Sequence, residues 1–520
     1  MQKNLILALV LSAFVYIFWY SYIMPPPKKA ARSGEIYSEK APQNIKEEKH
    51  SKKETERLKI KEEQFQSPKM AIQEKEIKVS AGKFQFVLTS KGGGIKSALY
   101  AGPVSPAELV LETNYPFLNA FGNQNFAIKK TGGNEVVMEK EKTGIILRKH
   151  YIFSPENTLN TLVITVKNTG NNAIELAPWK ISMGPGLGTV QNEQKENPKI
   201  WKAKYAQEVE GRKHPAVNVI KDNVKLANPN WVGIDNRYFI SAIITKNYLR
   251  NFDLHYEKLP TGENKKEGPY ISLENPPSLL NPQETRKWEI KFYMGPKDCE
   301  KLEKIGYGLD RSIDLGFFAP LAKLANDALG GLYKATGNYG FAIIILSVAV
   351  QFLMFPLSMK SYKSMNAMKK IQPKMQYLQK KYKNDPKKLN AEMMELYKRE
   401  GVNPLSGCLP MLLQIPIFFA LFTALRNSWD LHGASFIFWI KDLSYKDPYY
   451  VLPIIMGAIM FLQQHITPQS GSTDPSQKFM KWMPVIFTVM FLNFPSGLVL
   501  YWLINSIFSS IQQLYLVKKQ

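Results

Sequence analysis

The carboxy-terminal third of this chain repeats one pattern, apolar runs of helical length separated by polar stretches. Tyr339 to Leu357, Leu405 to Leu425, Tyr449 to Gln464, Phe479 to Phe494 and Gly497 to Val517 carry almost no formal charge. About 20 apolar residues span the ~30 Å hydrocarbon core of a bilayer, and in hydrocarbon a helix satisfies its backbone polar groups internally. The runs therefore predict an α-helical transmembrane bundle. A further apolar run, Leu5 to Ile23, follows Lys3 and precedes Pro25-Pro26-Pro27 rather than a small-residue cleavage site. Residues 1–23 are thus expected to be an uncleaved anchor, which makes six crossings in all. The last two runs are parted only by Pro495-Ser496, which predicts a helical hairpin.

Charge sets the expected orientation. Lys360 to Gly401 holds twelve Lys and Arg against four acids, whereas Asn427 to Asp447 holds two Lys against three Asp. Basic loops stay in the cytoplasm, so the first segment belongs there and both chain ends with it. Within it, Met365, Met368, Ile371, Met375, Leu378 and Tyr382 recur every three or four residues, a break follows at Asn384-Asp385-Pro386, and Leu389, Met393 and Leu396 resume the pattern. Residues 359–402 therefore predict a cytoplasmic helical hairpin, its first helix kinked or restarted by Pro373. Met365, Met368, Met375 and Met393 are candidate client contacts, because flexible thioether side chains adapt to varied apolar partners. Packing between the two hairpin helices would use the same residues.

The polar half reads differently. Residues 24–75, rich in Lys and Glu, form a charged linker that cannot bury enough apolar surface to order itself. Between Glu76 and Asp310, short alternating runs such as Lys83–Thr89, Thr161–Lys167 and Lys287–Tyr293 lie between Gly, Asn and Pro. That pattern predicts an all-β sandwich over 76–310, outside the cytoplasm. Residues 311–335 (Leu315 to Lys334 at their centre) suit an amphipathic helix on the membrane surface, or a partly buried helix of the β region. The bundle then occupies 336–520.

Composition narrows the chemistry. The formal charge of +24 is spread over linker, β region and hairpin, which points to anionic lipid and ribosomal RNA as partners rather than to a nucleic-acid-reading site. Cys299 and Cys408 are the only cysteines, and the six histidines show no paired ligand spacing. No metal or cofactor is expected, and no phosphate-binding glycine loop is present. The candidates for function are instead polar side chains at bilayer depth, which are costly there and usually face a bundle interior. Ser347 and Gln351 lie four apart in the second crossing, Gln414 stands in the third, and Tyr501, Asn505 and Ser509 share a face of the last, with Trp502 and Ser506 beside them. They could line a groove or simply tie helices together. A solute transporter would need the same depth of polarity together with internal repeats, which are not found. A membrane-anchored saccharide enzyme would need an acid and base pair, and none stands out.

Three strings carry a family likeness: EMMELYKREGVNPLSGCLPMLLQIPIFFALF at 392–422, DPYYVLPIIMGAIMFLQQ at 447–464 and MPVIFTVMFLNFPSGLVLYW at 483–502. They resemble the YidC/Oxa/Alb family of membrane insertases, and the anchor with its large β region resembles the Gram-negative form. The resemblance implies a periplasmic β-supersandwich in the bacterial inner membrane. It also implies a non-enzymatic insertase and chaperone for nascent membrane proteins, acting alone or with the Sec translocon and its accessory subunits. Its polar groove would open to cytoplasm and lipid. By the same resemblance Ser347 matches a hydroxyl position of the groove, and Tyr501 and Trp502 match aromatic positions that meet substrate. Gln351 stands where most members carry an arginine. The next base along the helix, Lys360, lies nine residues on, about 13 Å away.

Overall fold

The computed structural model describes residues 74–518, apart from 123, 157, 247–251, 263–264, 403–408 and 467–474. The expected anchor at 1–23 and nearly all of the 24–75 linker lie outside the described residues, as does the Met365 side chain.

From Glu76 to Pro296 the chain forms antiparallel sheet. A nine-stranded sheet is the largest, accompanied by sheets of five, four and two strands. Alternation produces the half-buried strands. In Asn160–Asn168 every second side chain from Asn160 is buried, and Leu162, Ile164 and Val166 supply apolar groups to one core. Ile181, Met183, Ile271 and Leu273 of the five-stranded sheet enter the same core. Two neighbouring strands of the large sheet break the alternation. Trp231–Asp235 and Phe239–Ile244 are buried at every position. Their other face is covered by helix α1 (Cys299–Ile305) and the turn Leu309–Ser312, which bury Trp231, Ile240, Ala242 and Ile244 in a second core. A strand covered on both faces reads as a continuous apolar run, as FISAII does.

The helices follow: α2 (Ala319–Thr336), α3 (Tyr339–Lys381), α4 (Pro386–Arg399), α5 (Leu409–Asn427), α6 (Val451–Ile466), α7 (Pro475–Phe491) and α8 (Ser496–Lys518). Helix α2 buries Ala322, Ala325 and Leu329 against α3 and α5, so its packing partner is the bundle and not the β core. It leaves Leu321 and Leu324 exposed, the latter at 63%, and Phe317 just before it is exposed at 86%. Ion pairs from Lys323 to Glu303 and from Lys334 to Glu300 (3.9 Å) join α2 to α1.

Two expectations about the helices are corrected. The helix of the second crossing does not stop where its apolar run does, nor does a new one start at Pro373: α3 continues for 43 residues through Pro356 and Pro373. At 1.5 Å per residue it is about 65 Å long, twice a hydrocarbon core. Proline removes one backbone donor and crowds the preceding turn, but neither position ends this helix. The last two helices are also not a simple packed hairpin. Helix α8 packs chiefly on α6 and α3, while α7 packs on α6. The connection between them is drawn aside onto the loop before α6, where the Tyr445 carbonyl accepts from Ser496 N at 2.7 Å and Ser496 Oγ at 2.6 Å, and Gly497 N donates to Leu443 O at 2.9 Å. Close approach of α6 and α7 depends on Gly457, where a Cβ would sit 2.0 Å from Thr488 Oγ1. Small residues at helix contacts are how apolar helices gain packing area in lipid.

Among the described residues, Tyr339–Met368 is the one stretch long and apolar enough to cross a bilayer by itself. Leu413–Asn427, Val451–Gln464 and Trp482–Phe491 are shorter apolar helices.

Candidate functional site

Helices α3, α5 and α8 bring the expected polar residues together. Gln351 Nε2 donates to Asn505 Oδ1 at 2.9 Å, joining α3 to α8. Gln414 Nε2 donates to the Tyr501 hydroxyl at 2.8 Å, joining α5 to α8. Asn505 and Tyr501 are one helical turn apart, so the two bonds form one polar seam across three helices. Gln351, Tyr501 and Asn505 are buried, and Gln414 is half-buried. Asn505 Nδ2 is buried without a hydrogen bond of normal geometry, with the Tyr501 hydroxyl as the polar group beside it. Gln351 lies twelve residues into α3, about 18 Å along its axis, and Asn505 lies nine residues into α8, about 14 Å.

Not every candidate joins the seam. Ser347 is buried one turn before Gln351, and its hydroxyl donates back to Ile343 O at 2.6 Å. Trp502 turns away into an aromatic cluster with Phe418 (4.9 Å), Phe487 (5.8 Å) and Phe491 (5.4 Å). In the hairpin, Met375 is buried with Ile371, Leu396 and Val402, and Met368 and Met393 are packed against them, in the contact between α3 and α4. These three methionines thus pack the hairpin, Met368 and Met393 remaining half-exposed, and Met394 and Tyr377 stand exposed beside them.

A second set of contacts had no forerunner in the sequence reading. The loop after α5 sends Trp429 into the β region, where its ring meets Phe239 (5.1 Å), Tyr100 (5.8 Å) and Tyr238 (5.9 Å), with His432 stacked on it at 5.1 Å. Nearby, Asn427 Nδ2 donates to Asp314 O at 2.7 Å, Thr423 Oγ1 to Leu315 O at 3.1 Å, and Arg426 approaches Glu196 at 3.7 Å. Just upstream, buried Asp235 Oδ2 accepts from Lys204 at 2.7 Å and Lys297 at 2.9 Å, and both amines reach Ser312 O. Burial pushes the Lys297 amine down while Asp235 pulls it up. The sole signal for this docking was a tryptophan in a polar loop, and many unrelated roles produce that.

Comparison with known proteins follows the same division. The family described as YidC periplasmic domain matches residues 85–325, and the family described as 60Kd inner membrane protein matches 331–520. The membrane protein insertase YidC of Endomicrobium trichonymphae is 37% identical over 533 residues, spanning 100% of this chain and 98% of that protein. This chain belongs to the YidC family of membrane protein insertases. The YidC of Geobacter metallireducens is 34% identical, again across 100% of this chain and 98% of its own length. A crystal structure of an active YidC insertase with its first transmembrane domain resolved covers 85% of this chain and 92% of its own, with 19% identity and a TM-score of 0.38. Family membership makes this an inner-membrane protein with a β-rich periplasmic domain and a helical carboxy-terminal region.

Proposed function

We propose that this chain inserts and helps fold membrane proteins by offering the polar segment of an entering client neutral hydrogen-bonding partners inside the bundle. The observation that carries the reading is the pair of bonds Gln351–Asn505 and Gln414–Tyr501 between otherwise apolar helices. A polar group entering hydrocarbon unpaired costs several kcal/mol. Exchanging an amide or hydroxyl bond already present in the seam for one to the client lowers that barrier without an energy source. Ser347 and Trp502 would border the same groove, which opens to cytoplasm and lipid.

The topology that goes with this reading has six crossings: the anchor at 1–23 and helices α3, α5, α6, α7 and α8. The β region is periplasmic, and hairpin 359–402 and the carboxy terminus are cytoplasmic. Exposed Phe438 and Tyr449 near one end and exposed Tyr515 near the other favour it. Tyr515 lies nineteen residues along α8, about 29 Å from its start, the spacing of two interfacial aromatic belts. Helix α2, with its exposed Leu324 and with Phe317 just before it, would lie at the outer interface. Nascent membrane proteins are the clients. The Sec translocon and the ribosome are partners reached through the bundle and the basic hairpin, where Met365 and exposed Met394 offer contact, and anionic lipid meets the hairpin's lysines. The role is non-enzymatic.

Liposome insertion of a small membrane protein tests the reading. Gln351→Ala combined with Asn505→Ala is expected to reduce insertion strongly, and undiminished insertion would remove the seam from the mechanism. Deleting Tyr362 to Arg399 is expected to abolish insertion while the bundle remains folded.

A further inference from the structure

The buried polar side chains of the described bundle helices share a property. Ser347, Gln351, Tyr501, Asn505 and Ser506, like Ser358, Ser361, Ser496 and Gln513, are hydroxyls and amides, and no buried side chain of α3, α5, α6, α7 or α8 among those described carries formal charge. The cations on the lining helices stand far off. Lys360 is exposed, about 13 Å beyond Gln351 along α3, and Arg426 is about 18 Å from Gln414 along α5, stacked on Phe422. At the centre of this uncharged seam Asn505 Nδ2 is a buried donor without a normal bond of its own.

We propose that the seam selects its clients by neutrality. It takes translocated segments whose polar groups are hydroxyls and amides, docks a carbonyl acceptor on Asn505 Nδ2, and discriminates against carboxylates. This inference rests on the insertion reading above. A client amide carries both a donor and an acceptor, so it can replace Gln351 at Asn505 Oδ1 while accepting from Asn505 Nδ2. A carboxylate can accept that one bond but brings a charge that no buried cation in the seam balances, and an unbalanced buried charge is strongly disfavoured.

The test uses the full-length chain in liposomes without a membrane potential and a single-spanning protein with a short Ser- and Asn-rich translocated tail. One, two or three tail Asn residues are replaced by Asp, and insertion is measured as the increment over liposomes lacking the chain. Each Asp is expected to lower that increment roughly tenfold. In Asn505→Leu the neutral tail is expected to fall toward the level of the acidic one, and in Gln351→Arg the acidic tail is expected to regain insertion. Equal chain-dependent insertion of neutral and acidic tails by the unaltered protein overturns the neutrality inference alone. Failure to insert any tail overturns the insertion reading with it.

Discussion

The β region and the helical bundle both bury polar side chains, but they balance them by opposite means. In the β region the buried groups include ionisable ones: Asp235 lies between Lys204 and Lys297, and the Lys149 amine sits in the core donating to Gly92 O at 2.6 Å. In the described helices of the bundle they are neutral, and two pairs join helix to helix, amide to amide and amide to hydroxyl. A charged cluster is expensive to open, because removing one partner strands the others. A neutral pair between helices contributes about 0.6 to 2 kcal/mol and can be exchanged for another at little net cost. The first arrangement suits a fixed scaffold, which here grips the start of the connection to α2 through Ser312 O. The second suits a site that must open and close for successive clients.

The comparison breaks most visibly at Asp235. Asp235→Ala strands two buried lysines and is expected to destabilise the chain by about 3 to 5 kcal/mol, read as a lower Tm in detergent, with insertion per folded molecule unchanged. A fall in Tm together with a selective loss of insertion would mean that the scaffold takes part in the exchange. Next comes Trp429→Ala, which empties the aromatic seat between loop and β region. A loss of about 3 kcal/mol is expected, and hydrogen exchange across 430–444 should accelerate.

The Lys149 prediction depends on pH. Burial pushes its amine down from 10.5 to about 7. Between those values the unfolded chain holds a proton that the folded one does not, so stability rises with pH across the window and is lost as pH falls toward 7. Lys149→Met should remove that slope, gaining about 2 kcal/mol near pH 7 after the lost bond to Gly92 is counted, with the gain vanishing near pH 10. Thermal melts across the range read it. The smallest effect belongs to the bundle. Tyr501→Phe and Gln414→Leu should each cost about 0.6 to 2 kcal/mol, and the double variant little more than either, because both remove the same bond. Full additivity would show that the two side chains are not paired.

Much of this was legible before the fold. Among the described residues the apolar runs located the helices to within a few residues, except at the far end of α3, since a bilayer-length segment with unpaired backbone groups has few alternatives. Strand alternation marked the β region because one face is buried. Where both faces are buried, as in Phe239–Ile244, the period disappears. Asn384-Asp385-Pro386 marked the hairpin turn, and Asp385 does accept from Lys388 N at 3.0 Å to cap α4. The continuity of α3 was not legible, because a proline predicts a break unless its surroundings hold the helix together. The methionine stripe suited packing as well as clients, and only the position of α4 shows which of its members pack.

What the sequence determined by itself is chemical: which segments are apolar enough to lie in lipid, and that the polar residues among them carry no charge. Partner choice was left to the tertiary structure. Gln351 meets Asn505 across 154 residues and Gln414 meets Tyr501 across 87. Local periodicity can name the face of a helix that a side chain occupies, but which other helix covers that face depends on how all of them pack. The same reason hid the seat of Trp429, whose ring is half of an interface that the other half, Tyr100, Tyr238 and Phe239, reaches only after the β region has folded.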